Sequence, residues 1–182
     1  MATQREFAVP PPSPLLYWLF GALWLAITAA ALLRTHPAAW HADPVPWWLV
    51  PPFAAALVVV GPLLWLSRRS VALEDGQLVV AAGLNTLRLP VADLALEQAR
   101  IVDLEEHSAL KPMLKLFGVG LPGYHGGHYL LRDRSRAFVL LTGGKALVLP
   151  RRDGRWVLLS LAQPQALVDA LREQDRASMS VR

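Results

Sequence analysis

Residues 15–33 read LLYWLFGALWLAITAAALL, a run with no charged side chain. At 1.5 Å per residue a helix of this length covers roughly 28 Å, close to the hydrocarbon thickness of a bilayer. A second run, residues 47–66, reads WWLVPPFAAALVVVGPLLWL. Pro51 and Pro52 fall in its first turns, where missing donors matter least; Pro62 is expected to kink its last turn. Both runs are apolar on every face, and the remaining chain is too short to cover two such helices with a soluble core. The reading is a pair of transmembrane helices, 15–33 and 47–66. Tyr17, Trp18, Trp47, Trp48 and Trp65 near their ends suit an interfacial aromatic belt.

Composition divides the chain at the end of the second run. Up to Leu66 the only charges are Arg5, Glu6, Arg34 and Asp43, which cancel, so the formal net charge of +4 belongs to the rest. Six of the seven tryptophans and ten of the fifteen prolines lie in the first part. Hydrophobic residues make up 54% of the 182-residue chain and charged residues 18%, with a mean hydropathy of +0.34, which argues against disorder and against an ordinary soluble enzyme. The absence of cysteine excludes disulfides, thiolate nucleophiles and Cys-ligated metal centres.

Loop charges set the expected orientation. Residues 34–46, between the runs, carry Arg34 balanced by Asp43, whereas Ser67-Arg68-Arg69-Ser70 follows the second run directly. The positive-inside rule then puts both termini in the cytoplasm and the loop with His36 and His41 outside, as solvated residues. The stretch before the first run, residues 1–14, has one arginine and four prolines, unlike a cleaved leader, so the first helix is expected to be retained.

From Val71 the pattern becomes short β-rich runs broken by turn residues. Val71–Leu73 leads into Glu74-Asp75-Gly76, and Asp-Gly marks a tight hairpin. Gln77–Ala82, Thr86–Leu89 and Gln98–Leu104 read as further strands. Tyr129–Arg132, Ala137–Thr142, Ala146–Leu149 and Trp156–Ser160 are separated by two- to four-residue turns, the spacing of an antiparallel meander. A helix is expected over Gln165–Gln174, started by Pro164, with Ala166, Leu167, Ala170 and Leu171 as its apolar stripe. The segment from His107 to His128 reads as irregular and residues 175–182 as a tail.

Three stretches carry a family likeness: Leu73-Glu74-Asp75-Gly76-Gln77-Leu78; Leu121-Pro122-Gly123-Tyr124 with Gly127-His128-Tyr129; and Val157-Leu158-Leu159-Ser160 with Pro164 and Leu167-Val168 to Leu171. With two helices ahead of them, they resemble the bacterial pleckstrin-homology-like (bacterial PH domain) membrane proteins. The likeness covers about residues 70–173. It implies a two-helix transmembrane hairpin followed, over residues 70–174, by a PH-like seven-stranded antiparallel sandwich or barrel capped by a C-terminal helix. It also implies a place in the bacterial inner (cytoplasmic) membrane, and it implies no activity. The first hairpin departs from phosphoinositide-binding relatives, being acidic (Glu74-Asp75) where a phosphate grip needs Lys or Arg.

Two groups of residues are candidate contact sites. Lys111, Met113, Leu114, Lys115, Leu116 and Phe117 combine apolar bulk with two cations, which suits either a partner- or membrane-docking segment or a strand completing the core. Arg132, Arg134, Arg136, Lys145, Arg151, Arg152 and Arg155 cluster at meander turns; if alternate turns share one end, some form a basic face toward anionic headgroups, and otherwise they are solvated strand ends. His125 and His128, with His107, Glu105 and Glu106 upstream, are too few and too loosely spaced for a zinc site. The glycine spacing fits no nucleotide fingerprint, and no Gly-x-Ser-x-Gly elbow is present. The expectation is a non-enzymatic, cofactor-free integral membrane protein that binds a protein partner or itself. The alternatives are headgroup binding through the Arg/Lys-rich turns, or a homo-oligomeric scaffold using Gly21, Ala22, Ala26, Ala29 and Ala30. The second part lacks the aromatic platforms of nucleic-acid readers.

Overall fold

Residues 5–34 and 50–180 are described by the computed structural model. They form two units: the helical stretch Pro14–Ser67, and a β-rich unit that combines the residues before Pro14 with those from Arg68 onward. In the helical unit, α1 (Pro14–Arg34) is long and apolar enough to cross a membrane, and α2 (Val50–Ser67) is a somewhat shorter apolar helix. α2 continues past Pro62 to Ser67. The helices touch, and Trp24 Nε1 donates to the carbonyl of Pro52 at 3.3 Å. Gly21, Ala22, Ala26, Ala29 and Ala30 lie on exposed faces of α1. The predicted 34–46 loop beyond Arg34, with His36 and His41, and the start of the second run, with Trp47 and Trp48, lie outside the described residues.

The β-rich unit contains ten strands in two sheets and a C-terminal helix, not the seven strands expected. The first sheet has the order β1-β2-β3-β4, from β1 (Arg5–Phe7), β2 (Arg69–Glu74), β3 (Gln77–Ala82) and β4 (Asn85–Pro90). Its hairpins follow from turn chemistry. Asp75 and Gly76 have φ of 45° and 77°, the pair of positive values that a two-residue type I′ turn requires between Glu74 and Gln77. Gly83, at φ 66°, opens the two-residue turn to β4. β1 is a strand that the sequence reading does not anticipate: three residues ahead of α1 pair antiparallel with β2, Phe7 opposite Val71. A strand this short between polar residues and a proline run carries no periodic signal.

The second sheet has the order β5-β9-β10-β8-β7-β6, from β5 (Arg100–Asp103), β6 (Pro112–Leu121), β7 (Tyr124–Leu131), β8 (Arg136–Leu141), β9 (Lys145–Pro150) and β10 (Trp156–Leu159). It is mixed rather than an antiparallel meander. β10 sits between its predecessors, antiparallel to β9 and parallel to β8. β8 and β9 are buried on both faces, as continuous apolar runs in a sheet interior are, so each needs a partner on either side. Ser160 closes this insertion: its N–H donates to Leu140 O at 2.8 Å and its Oγ to Lys145 O at 3.1 Å.

The segment expected to be irregular, His107 to His128, holds a 3₁₀ turn and most of the β6–β7 hairpin. Pro122-Gly123, with Gly123 at φ 75°, makes the two-residue turn. β6 escapes a period-2 reading because Met113 and Leu116 are extra residues in its register with β7, two bulges that shift the alternation.

Both faces of the inner strands of the second sheet are covered. Val102, Leu104, Leu110, Leu131, Val139, Val148 and Leu158 form one core cluster, and Phe138, Leu140, Leu147, Leu149, Val157 and Leu159 are buried on the alternate positions. β3 lies against β8 and β4 against β7. α3 (Pro164–Ser180) starts at its proline as expected but continues past Gln174, into the predicted tail, as far as Ser180. Its buried stripe is Leu167, Val168, Ala170 and Leu171; Ala166 is exposed, because the buried face centres one residue further on. Arg5 of β1 pairs with Glu173 of α3 at 2.9 Å, in an exposed position.

Candidate functional site

β6 ends the second sheet, so one side of it has no strand neighbour. Met113, Leu114, Leu116 and Phe117 are 50% to 65% exposed, which removes the alternative that they complete the core. The bulges leave apolar side chains on both faces of an unpaired edge. Lys115 is exposed beside them, and Lys111 Nζ is 3.2 Å from Glu105.

The β6–β7 pair crosses at Gly118 and Gly127, which are opposite each other. Both have positive φ (150° and 117°). A Cβ on Gly127 would collide with Phe117 O, lie 2.7 Å from Gly118 Cα and lie 2.9 Å from Asn85 Nδ2. Two backbones and a side chain of β4 converge here. Just beyond, Tyr129 Oη donates to Val119 O at 2.6 Å. Burial, with the neighbouring Tyr124, pushes the Tyr129 phenol up to about 12. Tyr124 is buried with no partner for its hydroxyl, and burial raises its pKa against the opposing charge of Arg69.

The basic candidates divide by strand direction. β7 runs into the Arg132–Ser135 turn and β9 into the Arg151–Arg155 turn, and the register places Ala137 beside Trp156, so these turns share one end of the sheet. Lys145 starts β9 at the opposite end, opposite Asp103. Of the cations at the shared end, Arg136, Arg151 and Arg155 line one cavity of about 220 Å³, together with His128, Trp156 and Leu116. Asp153 faces them, 2.9 Å from Arg151 Nη2 and 3.7 Å from Arg155 Nε. Desolvation, then the charge of Arg155, lowers the His128 pKa below the ordinary histidine value. Arg132, Arg134 and Arg152 are exposed and do not line this cavity.

Six of the residues lining the cavity lie outside the predicted contact sites, His128 and Trp156 among them. Trp156 was visible as an aromatic directly after a basic turn; His128 was not, because only its pairing with Phe138 brings it to this end. That pairing also separates His125 from His128: they face opposite sides of β7, His125 toward Tyr129 and His128 toward Phe138. Burial lowers the His125 pKa as well. Among the described residues, no three His, Asp or Glu side chains converge in metal-binding geometry. A second cavity, of about 430 Å³, is lined by residues including Glu105, Lys111, His125 and Thr142, and the Thr142 hydroxyl is buried without a partner.

Comparison with protein-family models, with curated proteins and with solved structures finds no match to this chain.

Proposed function

We propose that this chain is a two-pass integral membrane protein whose PH-like sandwich, capped by α3, works without catalysing a reaction: it docks an extended segment of a partner protein along β6. The observation that carries the docking reading is the ten-residue apolar edge itself. Unpaired strand groups supply main-chain hydrogen bonds to an added strand, and the flanking side chains supply selectivity. The bulges at Met113 and Leu116 and the cation Lys115 disfavour flat pairing with a second copy, since bulges and edge lysines are how proteins block such pairing. A partner segment carrying an acidic residue opposite Lys115 fits better.

The two-pass reading draws support from β1. Residues 5–7 precede α1, and their partners in β2 follow α2. Strand pairing needs both segments in the same compartment, so a membrane crossed by α1 must be crossed back before Arg69. The same pairing argues for retention of α1, since cleavage after it would remove β1. With the arginines after α2, the shared side is the cytoplasm of a bacterial inner membrane. Tethering there raises the effective concentration of the domain near a membrane-bound partner, so that a short edge contact suffices.

The test is purification of tagged full-length protein from its native membranes in mild detergent, as wild type and as the Leu116→Ser/Phe117→Ser double variant. The expected result is a stoichiometric second protein with the wild type, lost in a double variant whose thermal unfolding is unchanged. A partner retained by the double variant, a wild type that purifies alone, or a double variant that unfolds defeats the reading.

A further inference from the structure

We propose that the cavity between His128, Arg136, Arg151 and Arg155 is a binding site for a phosphate group carried on a larger molecule. This inference does not rest on the docking reading, although Leu116 of β6 borders the cavity. The Arg151–Arg155 turn is held by its own hydrogen bonds: Arg151 N–H donates to Arg155 O at 2.8 Å, and Arg155 N–H to Asp153 Oδ1 at 3.0 Å. The backbone that carries the two arginines is therefore fixed before any ligand arrives. Strand register delivers the third guanidinium, because Arg136 precedes Ala137, which lies beside Trp156.

The charge at this site is unbalanced. Two of the three guanidiniums, Arg151 and Arg155, share one carboxylate, Asp153, and Arg136 makes no ion pair among the described residues. The Arg151 side chain is only 17% exposed, and its Nε–H is buried without an acceptor. A buried cationic donor with no acceptor is costly to hold, and an oxyanion entering the cavity supplies the missing partner. Guanidinium forks match the oxygens of a phosphate in paired hydrogen bonds. The cavity, at about 220 Å³, holds several times the roughly 30 Å³ of one water, so there is room for more than a bare anion. Trp156 and Leu116 line the remainder with apolar surface, which suits the organic part of a phosphoester. This position is distinct from the first hairpin of the domain, where Glu74 and Asp75 repel phosphate.

A free phosphoester and a phosphatidic acid headgroup share this chemistry, and the experiment separates them. Full-length protein in uncharged detergent is titrated with inorganic phosphate and with glycerol 3-phosphate, followed by thermal shift and by phosphorus NMR line width. It is also placed in nanodiscs of phosphatidylcholine with and without phosphatidic acid. Each titration is repeated with Arg136→Gln, which removes an exposed unpaired cation, and with Arg155→Gln. Saturable binding of the soluble phosphates, weakened about tenfold or more by either variant, supports a free phosphoester as ligand. Stabilisation by phosphatidic acid alone, lost in both variants, supports the headgroup. No response in either arm, or binding equal in wild type and Arg136→Gln, overturns the proposal.

Discussion

Replacing Gly127 with alanine puts a methyl group where the structure has no room for one. Gly127 holds a φ of 117°, which an L side chain rarely adopts, at a cost of about 1–3 kcal/mol. The new Cβ would also collide with Phe117 O and sit 2.7 Å from Gly118 Cα. Backbone atoms cannot escape by changing rotamer, so the crossing of β6 and β7 must open, adding a further 1–3 kcal/mol or so. The sum is roughly 4 kcal/mol, or about a thousandfold in the folded-to-unfolded ratio, among the largest effects single substitutions produce. Gly143→Ala is the control, since nothing lies within 4 Å of its Cβ position and its φ is ordinary; it should stay within about 0.5 kcal/mol of wild type. The assay is denaturant unfolding of full-length protein in mild detergent, with hydrogen exchange on β6 and β7 peptides. Loss of protection in those peptides is expected even if the rest of the domain persists. A Gly127→Ala protein whose midpoint and β6 protection match those of Gly143→Ala would refute the account of this crossing.

Two pH effects and one hydrogen bond complete the expectations. Because the Tyr129 phenol is pushed up to about 12, the folded state holds that proton after the unfolded chain begins to lose it near pH 10; stability is full below about pH 10 and falls as pH rises toward 12. Tyr129→Phe should lose about 1 kcal/mol at neutral pH with the bond to Val119 O, yet show a shallower alkaline decline; a decline as steep as that of wild type would place its origin elsewhere. His125 and His128 are depressed in the folded state, so their contribution is present above about pH 6.5 and is lost as pH falls through their lowered values. Unfolding midpoints measured from about pH 8 to pH 5 should decline with acid, less so in a His125→Gln/His128→Gln double variant. An equal decline in that variant would remove the histidines as the cause.

The legible parts of this chain are those in which one local rule acts alone. The charge-free run of α1 needs only its length, Asp75-Gly76 only its φ preference, and α3 only a proline and a 3.6-residue period. The obscured parts are those in which partners from elsewhere decide. β6 reads as irregular because two inserted residues scramble its alternation, and its apolar side chains fit a docking segment and a core strand equally well in sequence. β10 could not be ordered from its neighbours in sequence, because the requirement that β8 and β9 be covered on both sides acts across the sheet. The arginines were visible as a set of turns. Which three meet at one cavity depends on strand direction, and that direction sends Lys145 to the far end.

The weakest strand also says most about how the parts come together. Closing a loop from Phe7 to Val71 spans 64 positions. For a flexible chain this costs nearly 4 kcal/mol before any contact forms, and the three residue pairs of β1 return at most about 1 kcal/mol each. Left to itself, β1 would not hold. On the two-pass reading, insertion of α1 and α2 performs most of that closure beforehand, because a hairpin through a bilayer returns the chain to the face it left. What remains flexible is about ten residues beside the helix ends, which lowers the closure cost to roughly 2 kcal/mol. The Arg5–Glu173 pair and the hydrogen bond from Ala162 N to Ala8 O then suffice to fix the segment. β1 is thus expected to form last, after insertion. On the proposed two-pass reading, a chain in which α2 fails to cross would leave β2 with an open edge, and an open edge is a site for aggregation.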